Sequence, residues 1–155
     1  MHLFPYNQET VVLPFEAGEA LRLIEKVTGP ISRVITKNND FLFNGTFRDN
    51  TFTISRKVDY PQNYLPLIKG KVETTRHGSI LFLEYELFFS SRMFLSLWTI
   101  LSIMIAAFLV VFQNEYRYAT VSLGAGIINY LVSLMNFKKQ VKESRSVLFE
   151  ALKLT

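Results

Sequence analysis

Two uncharged apolar runs, joined by a short loop, constrain this chain more than any other feature. The first, Phe94 to Phe112, reads FLSLWTILSIMIAAFLVVF, nineteen positions with no charged side chain. After Gln113-Asn114-Glu115-Tyr116-Arg117, the stretch Tyr118 to Phe137 is again uncharged for twenty positions. At about 1.5 Å of rise per residue, each run spans roughly 28–30 Å as a helix, the thickness of a bilayer's hydrocarbon core. A helix with one face in water would break such a run with charge. The pattern predicts a transmembrane helical hairpin over residues 92–137, with spans at about 94–112 and 118–137. The alternative is a long helical hairpin buried inside a water-soluble protein.

Charge is distributed in a way that suits the first reading. Residues 1–91 hold ten basic and ten acidic side chains, whereas 138–155 hold five basic and two acidic. Arg92 precedes the first run and Lys138, Lys139 and Lys142 follow the second, while the loop between is neutral. Under the positive-inside rule both termini face the cytoplasm of a bacterial inner membrane. The N-terminal residues lack a charged segment followed by an apolar core, so no secretory signal is expected there. There is no cysteine, which excludes disulfides and thiolate metal sites.

Before the hairpin the periodicity changes twice. Thr10 to Phe15 reads as a short strand. Ala20, Leu23, Ile24 and Val27 then fall at helical spacing, with Gly29-Pro30 as the stop. From Ile31 to Phe88 the period is two, with turns at Asp49-Asn50 and His77-Gly78. Leu81, Leu83, Tyr85 and Leu87 share one face and Glu84 and Glu86 the other. After the hairpin, Phe137, Val141, Leu148 and Leu152 line one side of a helix that could pack on the sheet, lie on lipid or pair with copies of itself. The expected fold class is an α+β membrane protein in three parts. A small antiparallel β-rich cytosolic domain with one helix (1–91) precedes the two-helix transmembrane hairpin (92–137) and a C-terminal amphipathic helix (138–155).

Asn63-Tyr64-Leu65-Pro66-Leu67-Ile68-Lys69-Gly70, with the earlier Phe43-Asn44-Gly45, resembles a pattern of small bacterial two-span membrane proteins of unassigned function. That pattern reads Arg-Asn-Ser-Phe-Leu-Pro-x-Ile-x-Gly after a Phe-x-Gly. Here its Arg and Ser are missing and Pro61-Gln62 lies on the N-terminal side. The resemblance implies fold and location and supplies no catalytic residue. In layout the chain is also similar to the two-span membrane effectors of bacterial antiphage defence, in which a soluble domain reads a nucleotide signal and the helices form a pore.

Little in the chain points to catalysis. Its two histidines, His2 and His77, have no metal-ligand spacing around them, and Lys69-Gly70-Lys71 is not a phosphate-binding loop. No enzyme activity, metal or cofactor is expected. Two constellations remain. Ser122, Gly126, Asn129, Ser133 and Asn136 recur every three to four residues, on one helical face. They form either a packing seam or the lining of a water path in a homo-oligomer, and Asn129, near the middle of the span, distinguishes the two. Arg48, Arg56, Lys57, Lys69, Lys71 and Arg76, with Tyr60 and Tyr64 interleaved, are candidate contacts for an anionic ligand or for lipid headgroups. The expected function is a homo-oligomeric, pore- or channel-forming inner-membrane effector gated by its cytosolic domain, with a nucleotide or nucleic-acid signal as ligand. The alternative is a non-conducting anchor or scaffold that recruits a soluble partner protein.

Overall fold

Strand periodicity in the first ninety residues resolves into one sheet, and the apolar runs into two helices that leave it. The computed structural model describes residues 4–30, 41–58 and 62–154. In chain order the elements are β1 (Tyr6–Leu13), α1 (Ala17–Lys26), β2 (Thr28–Gly29), β3 (Phe43–Arg48), β4 (Thr51–Arg56), β5 (Pro66–Thr75), β6 (Gly78–Leu87), α2 (Phe89–Gln113) and α3 (Tyr116–Ala151). The six strands are ordered β1-β6-β5-β4-β3-β2. Every neighbouring pair is antiparallel except β2–β3, which is parallel.

Alternation decides which face is buried. Leu81, Leu83, Tyr85 and Leu87 of β6 point inward with Ile68 and Val72 of β5 and Ile54 of β4, and all are essentially inaccessible. Gly70 lies in that row because the Phe52 ring covers it; a Cβ there would come within 2.0 Å of the ring. Ala17, Ala20 and Ile24 of α1 close one part of this face, and Leu23 and Val27, expected on the same side, are half-buried against it. Phe137, Val141 and Leu148 of α3 and the adjoining Leu152 close the rest. Each such side chain contributes about 1.5–3 kcal/mol on burial, so the C-terminal turns of α3 belong to the core of the sheet. Glu84, Lys69, Lys71 and Glu73 remain on the uncovered outer face.

The expected fold class is overturned in three respects. The chain forms an α+β fold of one six-stranded mixed sheet and three helices, and no separate C-terminal amphipathic helix follows the hairpin. α3 runs unbroken from Tyr116 to Ala151, because the change from apolar to charged residues at Lys138 alters its surroundings and not its backbone. No Gly or Pro follows Gly126 to interrupt it. The sheet is not purely antiparallel, since Thr28-Gly29, at the expected Gly29-Pro30 helix stop, pairs parallel with Phe43-Asn44. Finally, α2 begins at Phe89, so Ser90, Ser91 and Arg92 belong to the helix and Phe88 alone lies between β6 and it.

α2 and α3 are each long and apolar enough to cross a membrane. In the most apolar eighteen residues of each, only 11% are buried, unlike a core helix. The turn between them is tight: Asn114 takes a left-handed conformation (φ 51°) and caps α2, and α3 starts two residues later.

Candidate functional site

Two places carry polar chemistry on this scaffold: the seam between α2 and α3, and the junction where that hairpin meets the sheet.

Small residues build the seam. Ser122 of α3 donates to the Ser102 carbonyl of α2 at 3.0 Å, and the Ser102 hydroxyl donates back to the Ser122 carbonyl. Gly126 packs beside this pair, and a Cβ on it would lie 2.6 Å from Ser102 Oγ. Leu95, Ser102 and Ala106 of α2 face Ala119 and Ser133 of α3, all buried. Ser133 donates to the Asn129 carbonyl one turn back on its own helix, at 2.8 Å. Four of the five stripe residues therefore lie on the side of α3 that meets α2, while Asn136 is exposed. Ser102, their partner, belongs to a looser Ser96-Thr99-Ser102 line, and the signal for it was the hydroxyl itself. Ser96 and Thr99 bond the carbonyls of Arg92 and Leu95 within α2.

Beside the seam lies a groove of about 360 Å³, with Trp98, Leu101 and Ile105 as one wall and Ala125 and Gly126 as the other. Asn129 sits in it half-buried, and among the described residues no side chain or backbone group bonds its amide. The outward faces of both helices are apolar. All but three of the exposed large apolar side chains among the described residues (Val12, Leu42 and Phe82) lie on α2 or α3.

At the junction, charged side chains tie α3 to the sheet. Arg56 at the end of β4 donates to Gln140 at 2.7 Å and to Glu143 at 2.8 Å. At the β1 edge of the sheet, Glu9 accepts from Tyr85 at 2.7 Å and pairs with Arg145 at 2.7 Å. Arg145 in turn lies 4.1 Å over the Phe149 ring. Burial, then the hydrogen bond to Glu9, pushes the Tyr85 phenol above its ordinary value.

Of the basic residues of the sheet, only Lys69 and Lys71 share a groove, on the outer face and beside Glu73 and Glu84; the others do not join them. Arg56 is committed to α3, Lys69 pairs with Glu86 at 2.8 Å, and Lys71 pairs with Glu73 at 2.6 Å. Arg48 is exposed beside the β3–β4 turn and Arg76 in the β5–β6 turn, at the end of the sheet away from α2. Lys57 follows β4, and Tyr64 is half-buried against the core with φ 65°. From Pro66 to the β5–β6 turn, β5 alone extends about 30 Å, so the six cations do not form one common site. His2, Asp59 and Tyr60 lie outside the described residues. Among the described residues, no group of three or more His, Asp or Glu side chains could hold a metal.

No protein-family model matches the chain, and neither does any curated protein sequence. Among solved structures, the solution NMR structure of the Polyketide_cyc-like protein Cgl2372 from Corynebacterium glutamicum is similar. The match has 10% identity and a TM-score of 0.31, over 92% of this chain and 94% of that one. At that score it carries no argument about chemistry or location.

Proposed function

We propose that this protein is a bacterial inner-membrane protein whose helical pair anchors the sheet rigidly at the cytoplasmic surface, as a non-conducting scaffold for a soluble partner. One observation carries the membrane assignment: the outward faces of α2, and of α3 as far as Met135, are apolar and uncovered. At roughly 100 Å² per side chain they amount to on the order of 2,000 Å², several times the largest apolar patch of an ordinary water-soluble monomer. Lipid satisfies such a surface and water does not. The scaffold role is supported by the seam, where Ser102, Ser122 and Gly126 are spent within one hairpin rather than facing a shared water path. The basic residues Arg92, Lys138, Lys139 and Lys142 sit at the sheet end of the hairpin and favour the cytoplasmic side for both termini.

Two measurements test this. The protein should resist alkaline carbonate extraction from membranes, and a reporter fused after Thr155 should be active only in the cytoplasm. Purified protein in liposomes should pass no more ions than empty liposomes. Release by carbonate overturns the membrane assignment, and sustained flux overturns the scaffold.

Asn129 favours a second reading, a homo-oligomeric pore gated by the sheet domain. An amide at that depth needs a neighbouring helix or water, and its own hairpin supplies no bonding group among the described residues. If Asn129 lines water, Asn129→Leu leaves the oligomer intact and lowers conductance, because a ring of leucines tends to dewet. If it bonds a second hairpin, the change removes roughly 0.6–2 kcal/mol per subunit and loosens the oligomer. Oligomer mass and ion flux on the one variant separate these outcomes.

A further inference from the structure

The junction holds a second groove, of about 310 Å³, between the start of β1 and the middle of α3. Lys138, Lys142 and Arg145 line it from α3, and Tyr6 and Asn7 from β1. Positions i, i+4 and i+7 share one side of a helix, so three cations point along one wall. Arg145 is held in place by Glu9, which leaves it poised at the rim. Lys138 and Lys142 are exposed and have no ion-pair or hydrogen-bond partner among the described residues. Toward the hairpin the lining becomes apolar at Leu134 and Phe137 and continues onto the exposed Leu131 and Met135. The groove is thus cationic at its sheet end and apolar at its hairpin end.

From this pairing we infer that the groove binds the headgroup of one anionic phospholipid per chain, its phosphate against Lys138 and Lys142 and its acyl chains along α3. The inference rests on the membrane placement proposed above. Charge complementarity selects the occupant. A zwitterionic lipid would bring its own cation against Lys138 and Lys142, and a soluble anion would leave the apolar end uncovered. A lysine near the membrane surface adds about fivefold to the affinity for an anionic lipid, so two unpaired lysines give a preference on the order of tenfold or more.

Native mass spectrometry of the full chain in a neutral detergent tests this, with dimyristoyl phosphatidylglycerol, dimyristoyl phosphatidylcholine or inorganic phosphate as probe. One phosphatidylglycerol per chain should be retained, about tenfold more tightly than phosphatidylcholine. Lys138→Gln with Lys142→Gln should abolish that preference, while Lys139→Gln, outside the groove lining, should keep it. Unchanged thermal melting of the double variant checks that it is folded. Equal retention of the two lipids, or a preference that survives in the double variant, overturns the site. Binding of inorganic phosphate with no lipid preference replaces the lipid by a soluble anion and also overturns it. Carbonate extraction reports separately on membrane placement, so a membrane-embedded protein without lipid preference fails this inference alone.

Discussion

α3 is one helix in two surroundings, and its halves invert each other. From Tyr116 to Asn136 the apolar side chains Val121, Ile127, Ile128, Leu131, Val132 and Met135 point outward, and the small and polar Ser122, Gly126 and Ser133 point toward α2. From Phe137 onward the order reverses: Phe137, Val141 and Leu148 point inward and Lys138, Lys139 and Lys142 outward. The difference follows from what each half displaces. Against a sheet in water, burial of apolar area drives packing. On the membrane placement proposed above, the first half has lipid as its alternative neighbour, as apolar as leucine; burial then gains nothing, and close approach and hydroxyl-to-carbonyl bonds hold the helices together. The same backbone thus accommodates two opposite patterns.

Matched substitutions on the two halves would break or sharpen that contrast. The largest effect is expected at Leu148, which is fully buried in the sheet core. Leu148→Asp places an unpaired carboxylate there and should cost more than about 4 kcal/mol, read as loss of the cooperative melt of the sheet domain. Ile128→Asp, on the outward face of the other half, tests the medium directly. It should lower membrane insertion by about 2.5–3.5 kcal/mol if that face meets lipid. A change within about 0.5 kcal/mol would mean the face meets water.

Gly126→Leu follows. The added side chain meets Ser102, whose backbone is fixed by its reciprocal bonds with Ser122. Parting the helices should cost about 1–3 kcal/mol, and a paired spin label across α2 and α3 would register the wider spacing. Melting of the sheet domain should hardly move if the two halves are independent, and should fall in step if α3 couples them.

Tyr85→Phe probes the junction through pH. Tyr85 keeps its proton more tightly when folded, because it is buried and donates to Glu9. The folded state therefore binds more protons than the unfolded chain above about pH 10, and stability falls as pH rises from there. The phenylalanine variant should be less stable by about 1.5–3 kcal/mol at neutral pH, and should lose less than the parent as pH climbs past 10. Parallel alkaline curves would show that the phenol does not couple to folding.

The smallest effect has the opposite sign. Ser144 is fully buried against the sheet, and its hydroxyl has no partner among the described residues, whereas Ser122 and Ser133 are bonded. Ser144→Ala should stabilise by about 1 kcal/mol in a chemical melt, and Ser122→Ala should not.

Composition and periodicity were enough to locate the two apolar helices, the helix at Ala20 to Val27, the inward face of β6 and the apolar side of the C-terminal turns. Each of these depends on residues within a few positions of one another, and local spacing reports them directly. The stripe from Ser122 to Asn136 was legible for the same reason, but its partner Ser102 lies twenty residues away and no spacing rule connects them. The continuity of α3 was missed because the sequence was divided where its chemistry changes, while helix propensity does not fall there. The pairing of β1 with β6, the reach of Arg56 to Glu143 across 87 positions and the dispersal of the basic residues over the sheet were decided by tertiary structure alone. Contacts between distant segments depend on how whole elements bury their faces together, and no window of neighbouring residues contains that information.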